Sequence, residues 1–584
     1  MKPRSLHKWS LDPSLDGLVF LAQRFDELLF DYTLDSYKPA ALNAPSLCTE
    51  ALTVISAIEK DQTEAANLIP VLEELEWSIH GDIVAKSLMD VELDQYILPN
   101  PDTPLLEKKL RLEVLNRTLR SNRYIDRCKD KLANAVLQKH KRDIDFLARS
   151  LVTTLVNHGV SKAFLYQRTQ DFFFKGSAPV IASTDALKPF LDGISPVIHD
   201  FNVFFIVSND IKLIKKSLDA FGLKVHESFP ADLVASAMKL DCVPESGEVI
   251  VEVENVRSFD CYSARKQAER RIDMLRDVFT LFSHRNQLSW REGTLINQCC
   301  IEVPVVVGST KNAMQKRIDP SYILASAKLN SMISNLGLRH GSTFEKFNRI
   351  VDIHGICVTN DVPENQLLNL WISLETLAPA KGAKIGRVVR ALEPFVKRHY
   401  VRRLVTAALR DLMIWNPRIT RRVLRNIPLA KGLRMVPRLL RLLSLDTNSE
   451  SRQSLYDECG DYHLLRYRIY CLHKLLESPK SVQAAIDSHW KKVDWQVRRI
   501  YRTRNSLVHT GDAPSYLGAL IENGHDYLDM VLDAVIDLSC GERKIETLDQ
   551  AFELEHLLAI GFRRRLDSLE SFTDDNVGFL CEFQ

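Results

Sequence analysis

Long apolar runs, paired cysteine blocks and glycine-rich tracts are all missing from this 584-residue chain. No uncharged stretch approaches the roughly 20 apolar residues that a membrane helix requires. The segment from Met1 to Leu11 carries charges where a signal peptide would have its apolar centre. The 11 cysteines fall without CxxC spacing; this argues against a zinc site or a disulfide frame and fits buried or incidental thiols in a reducing compartment. With only 22 Gly and 23 Pro against 45% hydrophobic residues, disordered and fibrous classes are excluded as well. The expectation is a cytoplasmic protein of roughly three or four domains, with no membrane partner.

What is present is charge, unevenly placed. Between Lys381 and Arg441 there are 17 Lys and Arg against two acids, Glu393 and Asp411, an excess of +15. The other residues, 60 Lys and Arg against 73 Asp and Glu, stand at −13. A basic excess of that size attracts a polyanion and gains affinity by counterion release, although a solvated helix face or a folded insert could carry it too.

Along the chain the apolar period changes twice. From Leu15 to about Gly159 it is helical, through Leu18, Leu21, Phe25, Leu28 and Leu29, then Leu105, Leu110, Leu112, Leu115 and Leu119. His80, His140 and His158 stand apart without ligand-like neighbours, so no metal is expected of them. From about Val180 to Leu336 an α+β module follows. Phe201 to Val207, a helical stretch from Ile211 and the short Leu223 to His226 segment form a βαβ-like unit. In Gly247 to Val256, Val249, Val251 and Val253 alternate with Glu252 and Glu254, as in a strand with one wet face. A helix is expected from about Tyr262 and another apolar run at Ile301 to Val307. Gly308-Ser309-Thr310-Lys311 lacks the upstream glycine of a phosphate loop.

The last third is helical again. Leu367, Leu370, Trp371, Leu374 and Leu377 make one apolar face with Glu375 one residue off it, and a second helix is expected from near Val493, its buried side traced by Val493, Val497, Ile500 and Leu507. That second helix carries Arg498, Arg499, Arg502, Arg504, Asn505 and His509. Arg504 brings a permanent cation and His509 an imidazole, a group that exchanges protons near neutrality; phosphodiester cleavage needs both when no metal takes part.

Arg504-Asn505-Ser506-Leu507-Val508-His509 resembles the arginine, polar residue, spacers and histidine signature of HEPN ribonuclease domains. The Leu370-to-Leu377 helix upstream and the Tyr501-to-Asn505 run ending in His509-Thr510-Gly511 look like the Apea-like branch of that family, over about Cys357 to Leu538. The resemblance implies a metal-independent endoribonuclease without cofactor, acting as a homodimer whose two motif helices share one composite site. It further implies an effector of anti-phage defence by abortive infection, released by a phage-derived trigger. In that reading His509 does acid/base work, Arg504 steadies the phosphate, Asn505 orients the phosphate or the imidazole, and Glu375 holds Arg504 or His509 in place. Arg498, Arg499, Arg502, Arg421, Arg422 and Arg425 are the candidate RNA contacts. On a regular helix five residues turn about 500°, which leaves Arg504 and His509 about 140° apart. Either the helix loosens near Thr510-Gly511 or the groups meet across a dimer.

The expected fold is therefore mainly α with an α+β middle module and a C-terminal HEPN-type bundle. Its segments are a helical region over 1–179, the module over 180–350, the bundle with its basic insertion over 351–545, and an acidic tail over 546–584. The rival expectation is a HEPN-containing scaffold that binds nucleic acid or dimerises without cutting.

Overall fold

A computed structural model of the chain describes residues 3–10, 12–30, 42–100, 102–285, 287–301, 303–316, 319–338, 341–379, 384–427 and 434–581. Met1, Leu11 and Lys381 lie outside them. The described residues form 23 α-helices and one five-stranded sheet, and no helix among them is long and apolar enough to cross a membrane. The mainly α expectation with a small α+β module holds at that level. Contacts divide the chain into two units, 1–154 with 177–184 and 312–584, and 155–176 with 185–311. The N-terminal helices thus share a unit with the C-terminal ones, where the sequence pattern reads as successive domains.

In the smaller unit the strands are β1 (His199–Ser208), β2 (Leu223–His226), β3 (Glu248–Ser258), β4 (Thr294–Gln298) and β5 (Val305–Val307), ordered β2-β3-β1-β4-β5 with every neighbour antiparallel. Since β1 and β2 both run against β3, they are parallel to each other with β3 between them, so the βαβ-like unit is a split one. Val249, Val251 and Val253 face the helix Cys261–Thr280 through Ala264, Ala268 and Ile272, as the alternation requires. The expected wet face keeps Glu254 at the surface, paired with Lys224 at 2.6 Å, but is covered around Glu252. Phe204, Ile206 and Ile250 pack there with Leu233 and Ala237 of the helix Ala231–Lys239, and the buried Glu252 carboxylate sits 2.7 Å from His226 Nε2. A charged residue on a strand marks a wet face only if no other element covers it.

In the larger unit the helix Asp16–Leu29 buries nearly its whole circumference, charged residues included. Arg468 reaches Glu27 on it at 3.4 Å and Asp411 at 2.8 Å, while Arg24 pairs with Asp145 at 2.6 Å. Leu112, Leu115 and Leu119 are core, but Leu110 points outward, two residues from Leu112 and hence on the other side of the helix. Four helices, Pro363–Leu377, Lys384–Trp415, Pro479–His509 and Leu517–Cys540, each touch the other three, chiefly around Leu370, Trp371, Phe395, Val497, Ile500 and Leu528.

The basic insertion folds. Its helices Lys384–Trp415, Pro417–Arg425 and Met435–Ser444 bury Val401, Leu412, Leu424, Leu440 and Leu443 in a second core shared with Leu465 and Leu472. The segment beyond 546, expected as an acidic tail, holds a 20-residue helix, Leu548–Asp567, opened by a capping box between Thr547 and Gln550. Its Glu555 is fully buried and accepts both a bidentate bond from Arg398, at 2.6 Å to each oxygen, and a contact from His399 at 3.1 Å. Burial would raise the Glu555 carboxyl, but His399 and Arg398 hold it below the usual range.

Candidate functional site

The helix that carries the motif begins at Pro479, fourteen residues before the expected Val493. Ser478 caps it, exchanging bonds with Ser481, and Pro479 takes the first-turn position where its missing N–H costs nothing. At the other end Thr510 N–H donates to Ser506 O at 2.8 Å and Gly511 turns left-handed at φ 73°. The helix is therefore regular through His509, and of the two ways to bring Arg504 and His509 together, loosening within this helix is not used.

The arginines of this helix have different fates. Arg499 is wholly buried, with Nε 3.0 Å from both oxygens of Glu50, Nη2 2.8 Å from Glu50 Oε2 and a second pair to Glu74. Arg502 reaches the other Glu50 oxygen at 2.8 Å. Both glutamates come from N-terminal helices, Ala44–Glu59 and Ile69–Gly81. Burial works against the Arg499 charge, yet the two carboxylates outweigh it and raise its pKa above the ordinary value. Burial also lifts both glutamates. Arg499 and Arg502 together overcome this at Glu50, whose pKa is lowered, but not at Glu74, whose pKa is raised. The two shifts differ in sign because Glu50 has two cations and Glu74 shares one. In this arrangement Arg499 cannot reach a phosphate, and Arg502 is committed to Glu50. Their assignment as RNA contacts is corrected accordingly.

The end of the helix is open. Arg504 is half-buried with Nη1 3.0 Å from the Asn505 side-chain oxygen, so Asn505 positions the guanidinium. His509 is exposed, and Thr510 Oγ1 rather than the imidazole takes the Ser506 carbonyl, at 2.9 Å. Arg498 is partly exposed and held by Asp494 at 2.8 Å. The helix with Glu375 does pack beside the motif, with Trp371 and Tyr501 ring centroids 5.2 Å apart. Glu375 itself accepts from Trp371 Nε1 at 3.1 Å and lies 3.5 Å from Arg387, so its bonds go to those two and not to Arg504 or His509.

Arg421, Arg422 and Arg425 stand exposed on the outer face of Pro417–Arg425, whose other face buries Thr420, Val423 and Leu424. Arg422 is paired with Glu458. Several of the remaining basic residues pair with acids outside the segment: Arg398 with Glu555, Arg403 with Asp526 and Arg387 with Glu375. A cleft of about 1080 Å3 lies between Arg387, Arg390, Lys397, Arg398, Arg563 and Arg564. None of Arg504, Asn505 and His509 lines it.

No family model matches the chain, nor does any curated protein or solved structure. The Glu50–Glu74–Arg499–Arg502 cluster had no sequence signal, since its members are 449 residues apart at the Arg499–Glu50 bond and each looks like a surface charge in its own helix.

Proposed function

We propose that the chain is a HEPN-type endoribonuclease that cuts RNA through the RNA's own 2′-hydroxyl, without a metal in the chemical step. One observation carries the reading: at the open end of a helix whose middle is packed against the N-terminal helices stand an arginine steadied by an amide, Arg504 with Asn505, and an exposed imidazole, His509. His509 takes or returns the proton, while the Arg504 guanidinium stabilises the phosphorane. Because the helix is regular, the two side chains diverge by about 140°, and the site is completed by His509 from a second copy of the chain. A four-helix core with the tryptophan helix beside the motif supports the same reading. In this reading the nuclease acts as a defence effector whose trigger is phage-derived.

Purified protein incubated with RNA in the presence of chelator should give products ending in 2′,3′-cyclic phosphate. His509→Ala and Arg504→Ala should each reduce cleavage by roughly 10²–10⁴-fold with folding and dimerisation retained. Mixing the two inactive variants should restore part of the activity through heterodimers. Products with 3′-hydroxyl ends, or full activity in His509→Ala, would falsify the assignment; RNA binding and dimerisation without cleavage would favour the scaffold reading.

A further inference from the structure

Away from the motif end, His354 of the helix Ser342–Thr359 meets His525 and Asp529 of the helix Leu517–Cys540. His354 Nε2 lies 3.0 Å from His525 Nε2 and 3.3 Å from Asp529 Oδ1, and His525 Nε2 lies 3.1 Å from Asp529 Oδ2. The two imidazole nitrogens thus meet, and each contacts a different oxygen of the one carboxylate. Ligand atoms bound about 2.1 Å from one ion stand roughly 3.0–3.4 Å apart in octahedral or tetrahedral geometry. The 3.0 Å separation of the nitrogens falls in that range, and one ligand atom from each of the three residues lies within 4.8 Å of the others.

Protons alone serve this cluster poorly. A neutral Nε2 carries either one proton or one lone pair, so it can satisfy one in-plane partner at a time. Here each Nε2 faces two. If both donate to the carboxylate, the 3.0 Å approach of the two nitrogens has no proton to share. A single cation between the three groups would take a lone pair from each at once.

The setting suits a partly dehydrated ion. The His525 and Asp529 side chains are only 8% and 11% exposed, and the His354 side chain, 28% exposed, leaves an approach from solvent. Neighbours on the same two helices, Ile350, Ile353, Leu528 and Met530, belong to the apolar core. His525 and Asp529 are four residues apart on one helix and so share a face by geometry.

We propose that His354, His525 and Asp529 form a binding site for a divalent first-row transition ion of the Zn2+ class, which fastens the helix Ser342–Thr359 to Leu517–Cys540. Two borderline nitrogen donors and one hard oxygen favour such an ion over Ca2+ or Mg2+, which prefer all-oxygen sites. Three protein ligands leave a further coordination position for water. The site is independent of the ribonuclease reading, since Arg504, Asn505 and His509 are not among its ligands.

Full-length protein stripped with chelator and titrated calorimetrically with Zn2+ should take up one tight equivalent per chain. Co2+ in its place should show visible ligand-field bands. His354→Gln, on the solvent side, and Asp529→Asn, nearly isosteric, should each weaken Zn2+ binding by about 100-fold or more while far-UV circular dichroism stays that of the wild type. His80→Gln, at an exposed histidine on another helix, should bind as the wild type does. No stoichiometric uptake by the wild type overturns the proposal, as does wild-type affinity in a folded His354→Gln variant. Should Asp529→Asn fail to fold, the His354→Gln titration decides.

Discussion

Arg499 and Arg504 occupy one helix, yet the first is completely buried between Glu50 and Glu74 while the second is half-exposed beside the Asn505 amide. What separates them is the reach of the N-terminal helices: Ala44–Glu59 and Ile69–Gly81 cover the middle of the motif helix and supply carboxylates there, and the last turn extends past them. Cations that look alike in composition divide into those locked into ion pairs inside the fold and those that stay at its surface. The division rests on dielectric: a buried arginine must be compensated within the protein, whereas an exposed one is compensated by water.

The sharpest way to break this comparison is Arg499→Ala. Removing the cation that the two glutamates share leaves Glu74 without its guanidinium in the interior and Glu50 with Arg502 alone, and the expected loss is about 3–5 kcal/mol of unfolding free energy. Chemical denaturation should show it as a lower midpoint. Arg504→Ala should stay within about 0.5 kcal/mol of the wild type, the range of an exposed substitution. Equal stability losses in the two variants would erase the distinction.

Glu50 and Glu74 can be told apart in the same assay. The Glu50 pKa is lowered in the fold, so its charge contributes stability that is present above the ordinary carboxylate pKa of about 4.3 and is lost as pH falls through the lower folded value. The Glu74 pKa is raised, so its charge is a net burden at neutral pH that protonation relieves. Glu50→Gln should therefore cost roughly 2 kcal/mol at pH 7, and Glu74→Gln clearly less. The reverse order would show that Arg499 serves Glu74 first.

How far the sequence could lead follows from the range of each signal. Val493, Val497 and Ile500 are buried on the face their spacing indicates, because helical periodicity is local. The start of that helix escapes periodicity although Ser478-Pro479 is a regular N-terminal signal, since the residues up to Lys492 carry no clean apolar stripe. β4, Thr294–Gln298, escapes it too, because five residues between loops give too short a pattern. The carboxylates that bury Arg499 and the His354–His525 approach, 171 residues apart, depend on tertiary placement that no local spacing encodes. Arg504, Asn505 and His509 are legible because all three lie within six residues of one helix.

A smaller effect tests the buried half of the helix further upstream. His489 stacks on Tyr400 with ring centroids 4.2 Å apart. Burial, with Arg403 and Lys492 nearby and Asp526 opposing, pushes its imidazole down to about 3. The unfolded chain, with histidine near about 6.5, then binds the proton first, so stability is complete above roughly pH 6.5 and declines as pH falls towards the folded value. His489→Phe keeps the stacking and cannot titrate. It should reduce the stability lost between about pH 7 and pH 4 by roughly 1–2 kcal/mol, discounted for the part of the ring that solvent reaches.

Arg498 sits at the border between the two regimes and gives the smallest change. It precedes Arg499 but points to Asp494 one turn back, with side-chain exposures of 35% and 26%. Burial raises the Asp494 carboxyl by more than Arg498 lowers it, so the pair adds little to folding. Arg498→Ala should cost about 0.3–0.5 kcal/mol, as for other helical pairs of this spacing. Its effect on RNA is the discriminating readout. If Arg498 belongs with the open end, the salt dependence of RNA binding should flatten by about one unit in the slope of log K against log salt, since one phosphate contact is lost. An unchanged slope places Arg498 with Arg499, as part of the scaffold, and confines the RNA-facing surface of this helix to its last two turns.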